Sequence, residues 1–365
     1  MVTNRTGQAP RRKAAVEALE PVKESRPQIQ FATQLPPEML NQFFERMFPA
    51  RAAFLKEHWP WLYRVGEFEW SPAPVTVVSG GAVTGLIGTI PVTLCVEGAK
   101  LPAVWMVDLA VLPEYQRQGV GVALLQASME RCSIQVAFCN ERSLGTALKC
   151  GWRLRRHTYS FQLLLKPECH PLVQETSLEP IGRIAGLATR LVWRARAAAH
   201  RQLVVAPVTL DHLSEFAARC DYLAVHALRS IEFLQWRIWS HPCAAEHFIF
   251  SLPGNQDQGC SAIVRLIETD GYRRLHLLAL TGNLHDPGNL SDFFASVVRW
   301  AIRESYHRIL LVASDPSIAK VARRWFPITS CLRFIYHTSN PALDGVLAEG
   351  DHLWECIDSD FDLTQ

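Results

Sequence analysis

The pattern of apolar residues predicts an α/β (α+β) chain of two units, each with a mixed, mostly antiparallel central sheet flanked by helices. Three observations carry this expectation. Short β-type runs alternate with amphipathic helical stretches along most of the 365 residues. The order strand, loop, helix, strand, helix, strand that begins at Trp105 recurs almost element by element from Arg273. The length is also about twice what one compact core takes, at roughly 100–200 residues per domain.

Met1 to Gln28 is rich in charge, proline and small residues and lacks the apolar stretch of a signal peptide, so 1–28 reads as a disordered tail. Pro36–Phe48 and Arg51–Arg64 space their apolar residues helically. Strands are expected at Val75–Ser79, Ala82–Ile90, Val92–Glu97 and Trp105–Leu112, with Gly80-Gly81 and Glu97-Gly98 as hairpin turns. A helix over Val120–Arg131, a strand at Ile134–Cys139 and a helix from an Asn140–Ser143 cap to about Lys149 follow. Gly151 stops that helix, and a strand over Leu154–Leu165 completes a first unit of 29–168.

Residues 169–204 form a helical linker whose Arg183, Arg190, Arg194, Arg196 and Arg201 lie among Ala, Leu and Ile. A solvated arginine face between domains is the plain reading; a surface for anionic lipid or an acidic partner is the other. The second unit, 205–345, has a helical Ser230–Pro242 and strands at His247–Leu252, Ser261–Glu268 and Arg273–Leu280. A helix over Leu290–Glu304 capped by Ser291 or Asn289, a strand Arg308–Val312, a helix Pro316–Trp325 and a strand Leu332–His337 complete it. Residues 346–365 read as a C-terminal tail.

With 48% hydrophobic and 20% charged residues the composition is that of a soluble globular protein. A net charge of +2 and no basic stretch interleaved with aromatics argue against nucleic acid. The ten cysteines form no C-x-x-C pair and read as thiols in a reducing compartment. His241-Pro242-Cys243 and Cys169-His170 lack partners at ligand spacing, so no metal is expected. No window is long and apolar enough for a transmembrane segment, and a cytoplasmic location is expected.

The most informative stretch is Val107 to Leu125. An apolar β-run ends in a Pro113-Glu114-Tyr115 turn, passes through Gln116-Arg117-Gln118-Gly119-Val120-Gly121 and enters a Val-Ala-Leu-Leu helix. Glycines there allow close backbone approach, and the first amides of the helix lack internal acceptors, which together make a cradle for a pyrophosphate. No Gly-Lys-Ser/Thr follows, which argues against a Walker loop, and the glycine spacing is not that of a Rossmann turn.

This arrangement resembles the acyl-CoA-binding motif of the GNAT acetyltransferase superfamily. The stretch from Asn140 to the Ala-Leu-Lys-Cys-Gly-Trp ending at Trp152 resembles a later motif of that family, and the resemblance covers Pro36 to Pro167. It implies acyl-CoA as co-substrate. Main-chain groups of Leu109, Ala110 and Val111 would contact the pantetheine arm and thioester, and the amides of Gln116, Arg117, Gln118, Gly119, Val120, Gly121 and Val122 would hold the pyrophosphate. Arg117 or Arg142 would add charge, with Asn140 completing the coenzyme-binding set. It further implies that Trp105–Leu112 and Ile134–Cys139 are parallel strands that splay, leaving backbone amides for the thioester carbonyl.

Asp108 is the candidate general base. Alternation puts it on one face with Ala110, and a carboxyl in an apolar strand would have a raised pKa. A structural carboxylate receiving backbone or arginine hydrogen bonds is the competing reading. The family often carries a tyrosine where this chain has Ala147, so the acid that protonates the thiolate passes to Tyr159, Tyr115 or water. Glu114 is a further candidate base. Cys139 and Cys150 lack a paired histidine. In the second unit Thr281–Asn289 replaces the glycine motif, and Asp286 would repel a pyrophosphate, so that copy reads as degenerate.

The resemblance and the residues together imply an acyl-CoA-dependent N-acyltransferase, with acetyl transfer to a primary amine of a small molecule, sugar or peptide. One alternative is a long-chain N-acyltransferase fed by an acyl carrier protein docked on the linker arginines. Another is a non-catalytic acyl-CoA sensor or assembly module.

Overall fold

The computed structural model describes residues 28–71, 73–169, 179–220, 225–252 and 259–358, without the side chains of residues 156, 157 and 179–181. The expected tail, 1–28, lies outside the described residues apart from Gln28, which opens an edge strand. That strand, β1 (Gln28–Phe31), pairs antiparallel with β2 (Val75–Ser79), and α1 (Pro37–Met47) and α2 (Ala52–Leu62) lie between them in sequence. α1 begins at Pro37, where a missing N–H breaks no helical bond, and buries Leu40, Phe43 and Phe44 on one stripe.

β2, β3 (Ala82–Val96) and β4 (Ala99–Val111) form an antiparallel meander. Its turns need two consecutive residues of positive φ, met by Gly80 and Gly81 (59° and 78°) and by Glu97 and Gly98 (49° and 82°). The two strands expected at Ala82–Ile90 and Val92–Glu97 are one, running through Pro91. β2 pairs with β3 only as far as Ile87 and β8 (Val225–Ala227) only from Leu94, so Pro91 lies where that flank of β3 needs no N–H.

α3 (Val120–Met129) crosses to the parallel β5 (Ile134–Cys139), and α4 (Glu141–Lys149) leads into β6 (Arg153–Leu164). α5 (Glu179–Ala197), β7 (Val204–Pro207), α6 (Leu210–Ala218) and the short α7 (Ile231–Leu234) lead to the second meander, β9 (His247–Ser251), β10 (Cys260–Thr269) and β11 (Tyr272–Gly282). The first unit's order then recurs: α8 (Pro287–Arg303) crosses to the parallel β12 (Arg308–Ala313), followed by α9 (Pro316–Trp325) and β13 (Ile328–Thr338). α10 (Pro341–Glu349) and β14 (His352–Leu353) come last.

The halves do not build separate sheets. The order is β1-β2-β3-β4-β5-β13-β6-β12-β11-β10-β9-β7, so the last strand of each half has crossed into the other. β13 pairs with β5, β6 pairs with β12, and β13 and β6 pair with each other at the junction. One face of this sheet carries a single core drawn from both halves, including Phe43, Trp105, Trp236, Leu310, Phe334 and Trp354. The other carries two cores, one under α3 and α4 and one under α8 and α9. Each fully buried aromatic contributes roughly 2–3 kcal/mol, which makes the shared core the main bond between the halves.

The stretch 346–365, expected as a tail, is core as far as Asp358, with Leu347, Trp354, Cys356 and Ile357 buried. Its polar residues misled because their partners lie far away in sequence. The Glu355 and Asp358 carboxylates both hold the buried Arg229. Arg155 of β6 donates to the carbonyls of Ala348 and Gly350 that end α10, at 2.9 and 2.6 Å.

Candidate active site

β4 and β5 pair only at Val104–Gln135 and Trp105–Val136. β4 then continues to Val111 and β5 to Cys139 without pairing, so the two parallel strands open. A bulge in β4 marks the opening: the register against β3 shifts between Leu86 and Gly88, and Asp108 sits at φ 54°. The extra residue breaks simple alternation. Val107 and Ala110 both join the core that contains Tyr63, while Leu109 and Val111 pack on the α3 side. Leu112 donates to the Thr84 carbonyl at 2.9 Å, so the alternating backbone turns the amide of Val111 away from β3, toward the opening.

The Asp108 carboxylate lies on the α2 side and is not in apolar surroundings. Arg51 donates to Oδ1 at 2.8 Å and the Tyr63 hydroxyl to Oδ2 at 2.8 Å, with the carboxylate 4% exposed. Both oxygens are therefore committed, the geometry of an anchored carboxylate. Gly88 makes room for this arrangement, since a Cβ there would run into the Tyr63 ring. Sequence reasoning missed Arg51 and Tyr63; a glycine inside an apolar strand was the available sign of a close aromatic neighbour.

Beyond Val111 the chain makes a turn at Pro113–Tyr115 and an exposed loop over Gln116–Gly119, with Arg117 at φ 64° and Gly119 at φ 84°. The loop's side chains fold back: Gln116 Nε2 donates to the Val111 carbonyl (3.0 Å) and Gln118 Nε2 to that of Glu114 (2.8 Å). Arg46 pairs with Glu114 at 2.6 Å and holds its carboxyl below the usual range. Gly119 is the N-cap of α3 and supplies no side-chain acceptor, so the first amides of the helix, at Val120, Gly121 and Val122, have no capping side chain. A Cβ built on Gly119 meets nothing within 4 Å, so no side chain plugs the corner there. One on Gly121 would point at Thr146 Cγ2 (3.6 Å) and Val111 Cγ2 (3.9 Å) instead.

Asn140 is the N-cap of α4, its Oδ1 accepting from the amides of Arg142 (2.9 Å) and Ser143 (3.0 Å); the Arg142 side chain is exposed. Tyr159 is not brought to the opening. It lies on β6, with β13 between it and β5, about 10 Å away at the usual strand spacing. It pairs across to Ala313 and Cys331, under the Arg323 guanidinium. The strand exchange removed it from the first unit's site. Burial pushes the Cys139 thiol up to about 11 and raises that of Cys150, which disfavours either as a nucleophile. Among the described residues no group of three or more His, Cys, Asp or Glu could hold a metal ion.

The second half has the same backbone features but fills them with its own carboxylates. Asp286, not Ser291 or Asn289, caps α8 and accepts from the amides of Gly288 (2.8 Å) and Asn289 (3.3 Å). β11 and β12 part after Leu277–Leu311. The Leu280 amide just beyond donates to the buried Glu355 carboxylate, at 3.0 and 3.2 Å to its two oxygens.

A bulged strand that opens from its parallel neighbour and runs into an uncapped helix defines a class, and the comparisons agree. Residues 38–152 match the model of the acetyltransferase (GNAT) family, so this part of the chain is a GNAT acetyltransferase domain. The whole fold is similar to that of a GCN5-related N-acetyltransferase from Anabaena variabilis, at 12% identity and TM-score 0.53 over 86% of this chain and 73% of that one. A putative acetyltransferase from Pyrococcus horikoshii is similar at 12% identity and TM-score 0.50, over 90% and 92% of the two chains. Saccharomyces cerevisiae N-myristoyltransferase, with bound myristoyl-CoA, is similar at 12% identity and TM-score 0.52, over 78% of this chain and 70% of that one. At such identities the likeness is one of fold. No curated protein matches the sequence significantly.

Proposed function

We propose that the chain is an acyl-CoA-dependent N-acyltransferase whose active site is the β4/β5 opening of the first half. The observation that carries this reading is the continuity of the bulge at Asp108 with the open cradle at Gly119, which suits a thioester at one end and a diphosphate at the other. The amine nitrogen attacks the thioester carbonyl, and the negative charge developing on its oxygen meets the main-chain N–H of Val111 at the opening, with Leu109 and Ala110 beside the pantetheine arm. The C–S bond breaks, the thiolate leaves, and the nitrogen loses its proton to solvent. Amides of Gln116 to Val122 hold the pyrophosphate, with Arg117 and Arg142 adding charge.

Asp108, anchored by Arg51 and Tyr63, acts as a positioning residue that fixes the bulge at the opening. Tyr159 is too remote to serve as acid, and solvent protonates the thiolate. The second half, with Asp286 and Glu355 on its equivalent amides, supports the first and takes no donor.

The acyl group is short. Trp105 and Phe138, on the two opening strands, lie 5.2 Å apart between ring centroids, and Trp354 lies 5.3 Å from Trp105, closing the space a long chain would enter. This favours acetyl-CoA over a long-chain donor such as an acylated carrier protein, with a primary amine of a small molecule, sugar or peptide as acceptor. The ten free cysteines support a reducing, cytoplasmic setting. The test is thiol release from acetyl-CoA across a panel of amines. Amine-dependent release supports the proposal. Coenzyme binding without turnover leaves a sensor, and no binding at all removes the site.

A further inference from the structure

α5 carries its apolar residues on two opposite faces, and only one is covered. The inner face buries Gly186, Trp193 and Ala197, with Trp193 against Trp325 of α9 at 5.9 Å between ring centroids. Arg196 lies over both rings (4.9 and 4.6 Å), and Arg190 bonds Glu168 at 2.9 Å. On the outer face Ile184, Leu187, Leu191 and Val192 are 72%, 56%, 58% and 63% exposed.

At about 3.6 residues per turn, Ile184, Leu187, Leu191 and Ala195 form one stripe opposite Trp193, with Arg183 and Arg194 on one flank and Arg196 on the other. The sequence has five arginines and no Asp or Glu from Pro180 to Leu210. A soluble helix normally turns charge outward and aliphatic residues inward. Here aliphatic residues face out beside the exposed Arg183 and Arg194, while Arg196 on the other flank stacks over Trp193 and Trp325.

We infer that α5 lies flat on an anionic lipid bilayer, its aliphatic stripe below the headgroups and its arginines level with the phosphates. The charge is complementary, and the long arginine stems reach from the stripe's edge to the headgroup layer. An acidic protein would satisfy the arginines and leave the stripe without a role. Among the described residues no helix is long and apolar enough to cross a membrane, so this contact rests on the surface.

The experiment is cosedimentation of the full chain with phosphatidylcholine vesicles, with and without phosphatidylserine. Partitioning should be about tenfold or more stronger with the anionic lipid, and should fall at least tenfold in Leu187→Glu/Leu191→Glu and severalfold in Arg194→Glu. These outer-face changes should leave thermal unfolding and coenzyme A binding unaltered, which shows that lost partitioning is not lost folding. Equal partitioning on both vesicles, or full binding by the double-glutamate variant, overturns the inference. So does absence of vesicle binding, and loss of self-association or of acidic carrier protein binding in the same variants would then name the other occupant.

Discussion

Gly119 and Gly121 belong to one motif, yet the structure separates their roles sharply. Gly119 sits at φ 84°, and any residue with a Cβ there pays about 1–2 kcal/mol of backbone strain. The space around it is open, so Gly119→Ala would relieve strain by shifting the loop, and the loop carries the amides proposed to hold the diphosphate. Losing one charge-assisted hydrogen bond costs about 1.5–3 kcal/mol, so the Kd for coenzyme A should rise roughly 10- to 100-fold. A methyl at Gly121 would make ordinary contacts at 3.6 and 3.9 Å with Thr146 and Val111, inside the protein. Gly121→Ala should therefore change the Kd by less than about threefold, well under 1.4 kcal/mol. Isothermal titration calorimetry with coenzyme A reads both. Wild-type affinity in Gly119→Ala, or equal losses in the two variants, would refute the assignment of the open face of the loop to the ligand.

Asp108→Ala removes the partner of a largely buried Arg51 and should lower stability by about 3 kcal/mol in urea unfolding. Asp108→Asn should lower kcat yet keep the acidic limb of the kcat/KM pH profile; disappearance of that limb would make Asp108 the proton acceptor after all. Phe138→Ala should raise the kcat/KM of hexanoyl-CoA relative to acetyl-CoA about tenfold, each buried methylene being worth about 0.8 kcal/mol; an unchanged ratio would locate the acyl pocket elsewhere. Burial pushes His352 down to about 3, and its Nδ1 accepts from Trp354 Nε1 at 2.9 Å, which keeps the ring neutral. Its folded pKa lies below the unfolded value, so the stability it contributes is complete above about pH 6.5 and falls by up to about 1.4 kcal/mol per pH unit on acidification below that. His352→Gln, which keeps an acceptor for Trp354, should flatten the slope between pH 7 and pH 5 in thermal unfolding.

The cradle was legible because it is local. A strand, a turn of positive φ and a helix without a capping side chain are all written within Val107 to Leu125, and the same short-range grammar placed the meanders and the crossover helices. The recurrence of strand, helix, strand, helix and strand in the second half was legible as a repeated order. What surrounds the site was not. Arg51 and Tyr63 were visible only as members of a helical stretch, and the bulge that brings Asp108 to them depends on how β4 registers against β3.

From the sequence alone came the element types, the recurrence and the glycine turn into an uncapped helix, since hydrogen bonding and sterics over a few residues decide them. Tertiary structure decided which strands became neighbours. Alternating apolar residues on β6 and β13 suit either sheet partner equally, and only packing of the shared core selects the exchange that carries Tyr159 away. It likewise turned an acidic C-terminal stretch into the buried partner of Arg229 and Leu280, because the charge of Glu355 is offset by groups 126 and 75 residues distant in the chain.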